Sequence, residues 1–303
     1  MHVVVIGGAG FIGSHLVDRL LASEHSVDVI DDLSNGSLAN LADARRAGGV
    51  KIHHLDGSSS EAASLLGMRR PDVVYHLGLF PRCERPAAAV AGALTAALAT
   101  LEACRAHGVG KVVVALPAAA LYGHPPVSAL PVKEGATASR GVRGVAAGAV
   151  LDLLGHYREQ ENLEFTALAL ASVYGPRQRA DGGVVAALHH AFVDGMTPTI
   201  HGDGRQTRDF VYIDDVVDAL VRAADRSTGL LINIGTGHQT SIRDLWSELS
   251  GGTDAITGPG RRDELHRFAV SPVRARIHLG WSPWTELHEG LRRLGEHPST
   301  SAG

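Results

Sequence analysis

The chain opens with four consecutive apolar residues, Val3–Ile6, runs straight into glycines, and continues as an amphipathic stretch over Phe11–Ala22. That order repeats. Short Val/Ile-rich runs at Val27–Ile30, Ile52–Leu55, Val73–Leu77, Val112–Ala115 and Phe165–Leu170 predict strands, and the longer stretches Ala87–His107 and Val145–Glu161 predict helices. Strands that are apolar throughout have both faces buried, the pattern of a parallel sheet covered by helices. Right-handed crossovers then give a doubly wound α/β fold of Rossmann type. After Gly175 the pattern loosens, with helices predicted at Val184–Gly195, Ile213–Ala224 and Ile242–Leu249 and strands near Thr199 and Phe210 and at Leu230–Ile234. The chain divides into a dinucleotide-binding domain, residues 1–172 plus about 211–240, and a smaller C-terminal α/β substrate lobe, about 173–210 plus 241–303.

With 303 residues, 45% hydrophobic and 20% charged, the chain has enough apolar surface for a large core and is neither a disulfide scaffold nor a disordered segment. A net charge of −4 is not the basic footprint of a nucleic-acid binder. The two cysteines, Cys83 and Cys104, have no metal-ligand spacing and no disulfide framework, which suits a reducing compartment. No metal is expected. No apolar run is long enough to span a bilayer, and Val3 leaves no room for a charged leader, so a soluble, cytoplasmic protein with a small-molecule partner is expected. Oligomeric state is not legible.

The sharpest chemistry lies in Gly7-Gly-Ala-Gly10-Phe11-Ile12-Gly13, which follows the first strand and opens the first helix. There Gly7 permits a tight turn, Gly10 lets the backbone approach a pyrophosphate, Gly13 allows close helix–strand packing, and the phosphate charge meets the N–H groups at the helix start. Asp31 and Asp32 end the second strand, where a carboxylate accepts from the adenosine ribose hydroxyls. This points to NAD(P)H, with NADH favoured by Asp31 and NADPH tolerated if Ser34 and Asn35 receive a 2′-phosphate.

Together with Asp56-Gly57, His76-Leu77-Gly78-Leu79, Val173-Tyr-Gly-Pro-Arg-Gln178 and His201-Gly-Asp-Gly-Arg-Gln-Thr-Arg-Asp-Phe-Val-Tyr-Ile-Asp-Asp215, the opening loop resembles the extended short-chain dehydrogenase/reductases, in the branch of nucleotide-sugar epimerases and dehydratases. The resemblance implies that Asp56 and Gly57 contact the adenine, that Leu77, Gly78 and Leu79 line the cofactor trough, and that Tyr174 lies near the nicotinamide. It also implies a substrate site around Leu116, Ala118, Arg140, Ser172 and Arg208.

The same resemblance exposes what is missing. The family carries a Tyr-x-x-x-Lys pair for proton transfer, yet the residues four beyond the five tyrosines are Leu79, Pro126, Glu161, Gln178 and Val216. Placed by its neighbours, the pair falls on Arg140 and Gly144; the catalytic Ser or Thr falls on Ala118, a supporting Asn near Ala93, and a diphosphate-binding Asn on Ser172. No catalytic residue is therefore assigned, and Arg140 cannot replace a tyrosine because guanidinium does not release its proton. Tyr122 and His76 are alternative acids. The small residues suggest a wide, apolar cavity suited to a flat aromatic ligand. A scaffold of this type without its acid–base set also resembles the polyketide ketoreductases of angucyclinone (simocyclinone-type) antibiotic biosynthesis. The expected function is thus an atypical NAD(P)H-dependent ketoreductase acting on an aromatic polyketide ketone, with a proton from substrate or water. The alternatives are a nucleotide-sugar epimerase or dehydratase and a catalytically inactive dinucleotide-binding module.

Overall fold

Seven parallel strands form the central sheet of the computed structural model, which describes residues 1–80, 86–135, 137–226 and 228–296. Cys83 lies outside the described residues. In chain order the first half comprises β1 (His2–Ile6), α1 (Phe11–Ala22), β2 (Ser26–Asp31), α2 (Ala42–Ala47), β3 (Val50–His54), α3 (Ser60–Arg69), β4 (Val73–His76), α4 (Pro86–His107), β5 (Lys111–Pro117), α5 (Ala118–Tyr122), α6 (Gly141–Glu161) and β6 (Glu164–Leu170). The second half continues with β7 (Ser172–Tyr174), α7 (Val184–Val193), β8 (Thr199–His201), β9 (Thr207–Arg208), β10 (Phe210–Tyr212), α8 (Ile213–Asp225), β11 (Leu230–Ile234), β12 (Thr240–Ser241), α9 (Ile242–Ser250), β13 (Ile256–Gly258), α10 (Val273–Leu279) and α11 (Leu287–Glu296).

Strand order is β3-β2-β1-β4-β5-β6-β11, so the winding reverses between β1 and β4. That reversal leaves a crevice at the carboxyl ends of the two strands, and ligands of open α/β sheets bind there. The strand pleat explains why the apolar runs do not alternate. On β1, Val3 and Val5 enter one core with Leu16 and Leu20 of α1 and Val216 and Leu220 of α8. Val4 and Ile6 enter the other, with Leu66 of α3, Leu101 of α4 and Val150 and Leu154 of α6. Each such fully buried side chain contributes about 1.5–3 kcal/mol.

Three short pairings, β7 with β10, β9 with β12 and β8 with β13, build the second layer of structure beside α7 and α9. Asp209, between β9 and β10, ties this region together. Its carboxylate accepts from the Thr236 N–H at 2.8 Å and hydroxyl at 2.6 Å, and from the N–H groups of Gly237 and Val270 at 3.1 Å. Burial pushes its pKa up, and those four donors oppose the rise. The chain then returns to the sheet: Ala275 and Leu279 of α10 share a core with Leu220. No helix among the described residues is long and apolar enough to cross a membrane.

Candidate functional site

At the β1/β4 reversal a crevice of ≈ 330 Å³ is lined by Gly7, Gly10, Asp31, Asp32, Asn35, Asp56, Gly57, Leu77, Gly78 and Leu79. Ten of the positions expected from sequence are thus brought to one place. Gly7 adopts φ +82°, and a Cβ there would lie 2.7 Å from the Gly78 nitrogen, so the β1 and β4 loops touch backbone to backbone. Gly10 is the N-cap of α1, with no side chain capping the helix. A Cβ on Gly10 would meet only the Gly7 carbonyl, at 3.2 Å, so the loop faces open space exactly where the unshared N–H groups of the first turn emerge.

The acidic side of the crevice is rigid. Asp31 accepts from Ala9 N–H at 2.8 Å and Leu33 N–H at 2.9 Å, and burial raises its pKa. Asp32 and Asp56 each close a turn, accepting from the N–H and hydroxyl of Ser34 and of Ser58 respectively. A carboxylate beside a helix N-terminus and a glycine-lined approach suit a dinucleotide: the pyrophosphate at α1 and a ribose at Asp31.

A larger cavity of ≈ 610 Å³ adjoins it, and Leu77 and Phe80 line both. Its wall includes Leu116, Ala118, Ser172 and Arg208, expected from sequence around the substrate, and Phe11 and Ile12, expected as cofactor contacts but lining this cavity and not the crevice, together with Arg143, Gln178, Asp181, His201, Gln206, Arg261 and Glu264. Arg208 is held by Glu264 at 2.6 Å and donates to the Leu265 carbonyl, so this arginine is both an ion-pair member and a wall residue. Arg143 donates to the Phe80 carbonyl at 2.8 Å, which places its guanidinium at the junction of the two spaces.

Three expectations are corrected by this geometry. Arg140 does not line the cavity; it is the N-cap of α6, and its guanidinium pairs with the exposed Asp263 at 3.0 Å. Gly144 cannot mark a lysine position, because a Cβ there would stand 2.2 Å from the Ala120 carbonyl of α5. The α6 residue that reaches the cavity is Arg143, three positions along, and one turn later Ala147 is fully buried. Tyr174 lines neither cavity; it is 1% exposed, packs edge-on against Phe210 and Tyr212, and donates to the Leu287 carbonyl.

Among the described residues, no tyrosine or lysine lines either cavity. Tyr122 is buried, lines neither cavity and donates its hydroxyl proton to Asn233 Oδ1 at 2.7 Å, so that proton is not presented to a ligand; burial raises its pKa. His76 lines the smaller crevice but is fully enclosed, and burial lowers its pKa from 6.5 to about 4. A native state that refuses a proton the unfolded chain accepts loses stability as pH falls from 6.5 towards 4, by about 3 kcal/mol for a group this buried. Urea unfolding at pH 7.5 and 4.5 is expected to show that loss, and His76→Phe to flatten it.

A model of the NAD dependent epimerase/dehydratase family matches residues 3–235. The chain belongs to this family. It is 38% identical over 310 residues to a UDP-glucose 4-epimerase of Mycolicibacterium smegmatis, covering 98% of both chains. Among solved structures it matches the UDP-glucose 4-epimerase of Thermotoga maritima, crystallised with UDP-glucose, at 31% identity and TM-score 0.91 over 98% of each chain. It also matches the UDP-glucose 4-epimerase of Thermus thermophilus in complex with NAD, at 31% identity and TM-score 0.86 over 98% of each chain. The family is one of NAD-using enzymes.

These likenesses overturn the aromatic-polyketide ketoreductase. Whole-length similarity runs to UDP-sugar epimerases, so the expected ketone reduction, flat aromatic ligand and antibiotic-biosynthetic role fall away. The resemblance behind them rested on replaced side chains such as Ala118, and replacing a few side chains changes neither scaffold nor ancestry.

Proposed function

We propose that this chain is an epimerase-type enzyme of nucleoside-diphosphate sugars, holding NAD along the β1/β4 crevice and a UDP-hexose in the adjoining cavity. The observation that carries it is the cavity wall itself: it joins the crevice at Leu77 and Phe80 and bears two arginines, Arg208 and Arg261, suited to a diphosphate. NAD, when bound, supplies reversible two-electron oxidation of a carbinol carbon. The chain's own groups position the partners: the first turn of α1 takes the pyrophosphate, Asp31 the ribose, and the two arginines the sugar nucleotide.

Proton handling departs from the family. The wall carboxylates Asp181 and Glu264 are engaged by Arg179 and Arg208, and Arg143 donates without releasing a proton. Among the described wall residues, His201, whose Nδ1 lies 3.2 Å from the Pro259 carbonyl, and water are the acceptors left for the sugar hydroxyl proton. Turnover is therefore slow. The experiment is calorimetry of NAD-loaded protein with UDP, UDP-glucose and UDP-galactose, followed by chromatography of the UDP-hexose pool. Binding with gradual interconversion supports the proposal. Binding without interconversion supports the second reading, a nucleotide-sugar binding module, which the absence of a tyrosine among the described cavity residues favours. Failure of both UDP-hexoses to bind sinks both.

A further inference from the structure

Between β7 and α7 the chain makes a short excursion that contributes Gln178, Ala180, Asp181 and Gly183 to the wall of the larger cavity. Its base is tied to α1 by His15, 3.0 Å from the Pro176 carbonyl, and by the Arg177–Asp18 pair at 2.7 Å, and Gln178 ties the base to the exit. Gln178 Nε2 donates to the Val173 carbonyl of β7 at 3.1 Å and to the Gly182 carbonyl at 3.3 Å, spanning the excursion from base to exit. Two carbonyl partners fix which end of the amide is nitrogen, and leave Oε1 as the acceptor that this wall residue carries. The stem is clamped as well, since a Cβ on Gly182 would lie 2.8 Å from Gln178 Cγ. The Arg179–Asp181 pair at 3.1 Å is 65% and 67% exposed and contributes little to holding the loop.

The wall also has a definite place in the cavity. At the base of the excursion a Cβ on Gly175 would stand 3.5 Å from the Phe11 ring, at the start of α1, beside the crevice expected to hold the cofactor. Arg208 and Arg261, by contrast, come from β9 and from the segment after β13. The sugar end of a nucleotide sugar must approach the cofactor, whereas its diphosphate must approach the arginines.

We propose that Gln178 is a positioning residue for the sugar: it clamps residues 179–183 into the wall that meets the hexose and presents Oε1 to a sugar hydroxyl. This rests on the nucleotide-sugar function above and names the group that sets its sugar subsite. Gln178→Leu keeps the bulk and removes both donors and the acceptor. In NAD-loaded protein the Kd for UDP is expected to stay within about two-fold of the parent and that for UDP-glucose to rise about ten-fold. Tryptic cleavage after Arg179 is expected to accelerate several-fold. A merely structural defect moves both ligands together, so equal losses for UDP and UDP-glucose overturn the proposal, as do unchanged affinities with unchanged proteolysis. Should Gln178→Leu fail to fold, Gly182→Ala crowds the same stem from the loop side and is expected to show the same split. If the parent protein binds neither ligand, the nucleotide-sugar function fails and the sugar contact with it, while the tryptic comparison still decides the clamp.

Discussion

Gly10→Val is expected to weaken NAD binding by about 100-fold or more, roughly 2.7 kcal/mol, while leaving the protein folded. The two halves of that result have separate causes. Inside the protein a Cβ on Gly10 meets only the Gly7 carbonyl at 3.2 Å, a contact that a small loop adjustment relieves. On the open side the branched side chain fills the space that lets a pyrophosphate approach the first turn of α1. Gly13→Val is the contrasting variant: its Cβ would meet the Gly7 carbonyl at 2.1 Å and the Gly8 Cα at 2.8 Å, so the fold itself must give way. Calorimetry with NAD beside thermal melting separates the two, and a folded Gly10→Val protein with parental affinity would falsify the placement of the dinucleotide.

The second large effect concerns rebuilding the family's Tyr-Lys pair at its sequence-expected positions, Arg140 and Gly144. Gly144→Lys is expected to destabilise by about 1–3 kcal/mol or more, because its Cβ is driven to 2.2 Å from the Ala120 carbonyl. That carbonyl also accepts from the Arg140 N–H at 3.0 Å, so moving it breaks the junction of α5 with the start of α6. Gly155→Ala on the same helix has nothing within 4 Å of the added Cβ and is expected to stabilise by roughly 0.5–1 kcal/mol through helix propensity. Opposite shifts in melting temperature are the signature. The double variant Arg140→Tyr with Gly144→Lys gains no epimerase activity, since neither position faces the cavity.

The central strands and most long helices were legible because they depend on local periodicity. Phe11–Ala22 and Leu230–Ile234 form the elements their patterns predict, residue for residue. The five-residue α5 and three-residue β7 escaped because so few residues carry no period, and α3 because its signal is the Ser59 side-chain cap on Ala62 rather than a strong stripe. Gln178 had a signal too: it stands in the Val173–Gln178 motif, but its two carbonyl partners are set by the path of the loop.

By itself the sequence determined the doubly wound α/β class, the glycine loop with its acidic second strand, and the absence of any Tyr-x-x-x-Lys, since each is a matter of short-range order or of simple presence. Only the tertiary structure decided that Arg143 rather than Arg140 reaches the cavity, that Tyr174 belongs to the core, and that Glu264 holds Arg208. Arg140 is the extended N-cap that precedes α6 and turns to Asp263, whereas Arg143 lies in the first turn of the helix, whose seating is set by the backbone contact of Gly144 with α5. The Arg208–Glu264 pair joins residues 56 apart, a contact created by how β9 and the segment after β13 pack and invisible to any local pattern.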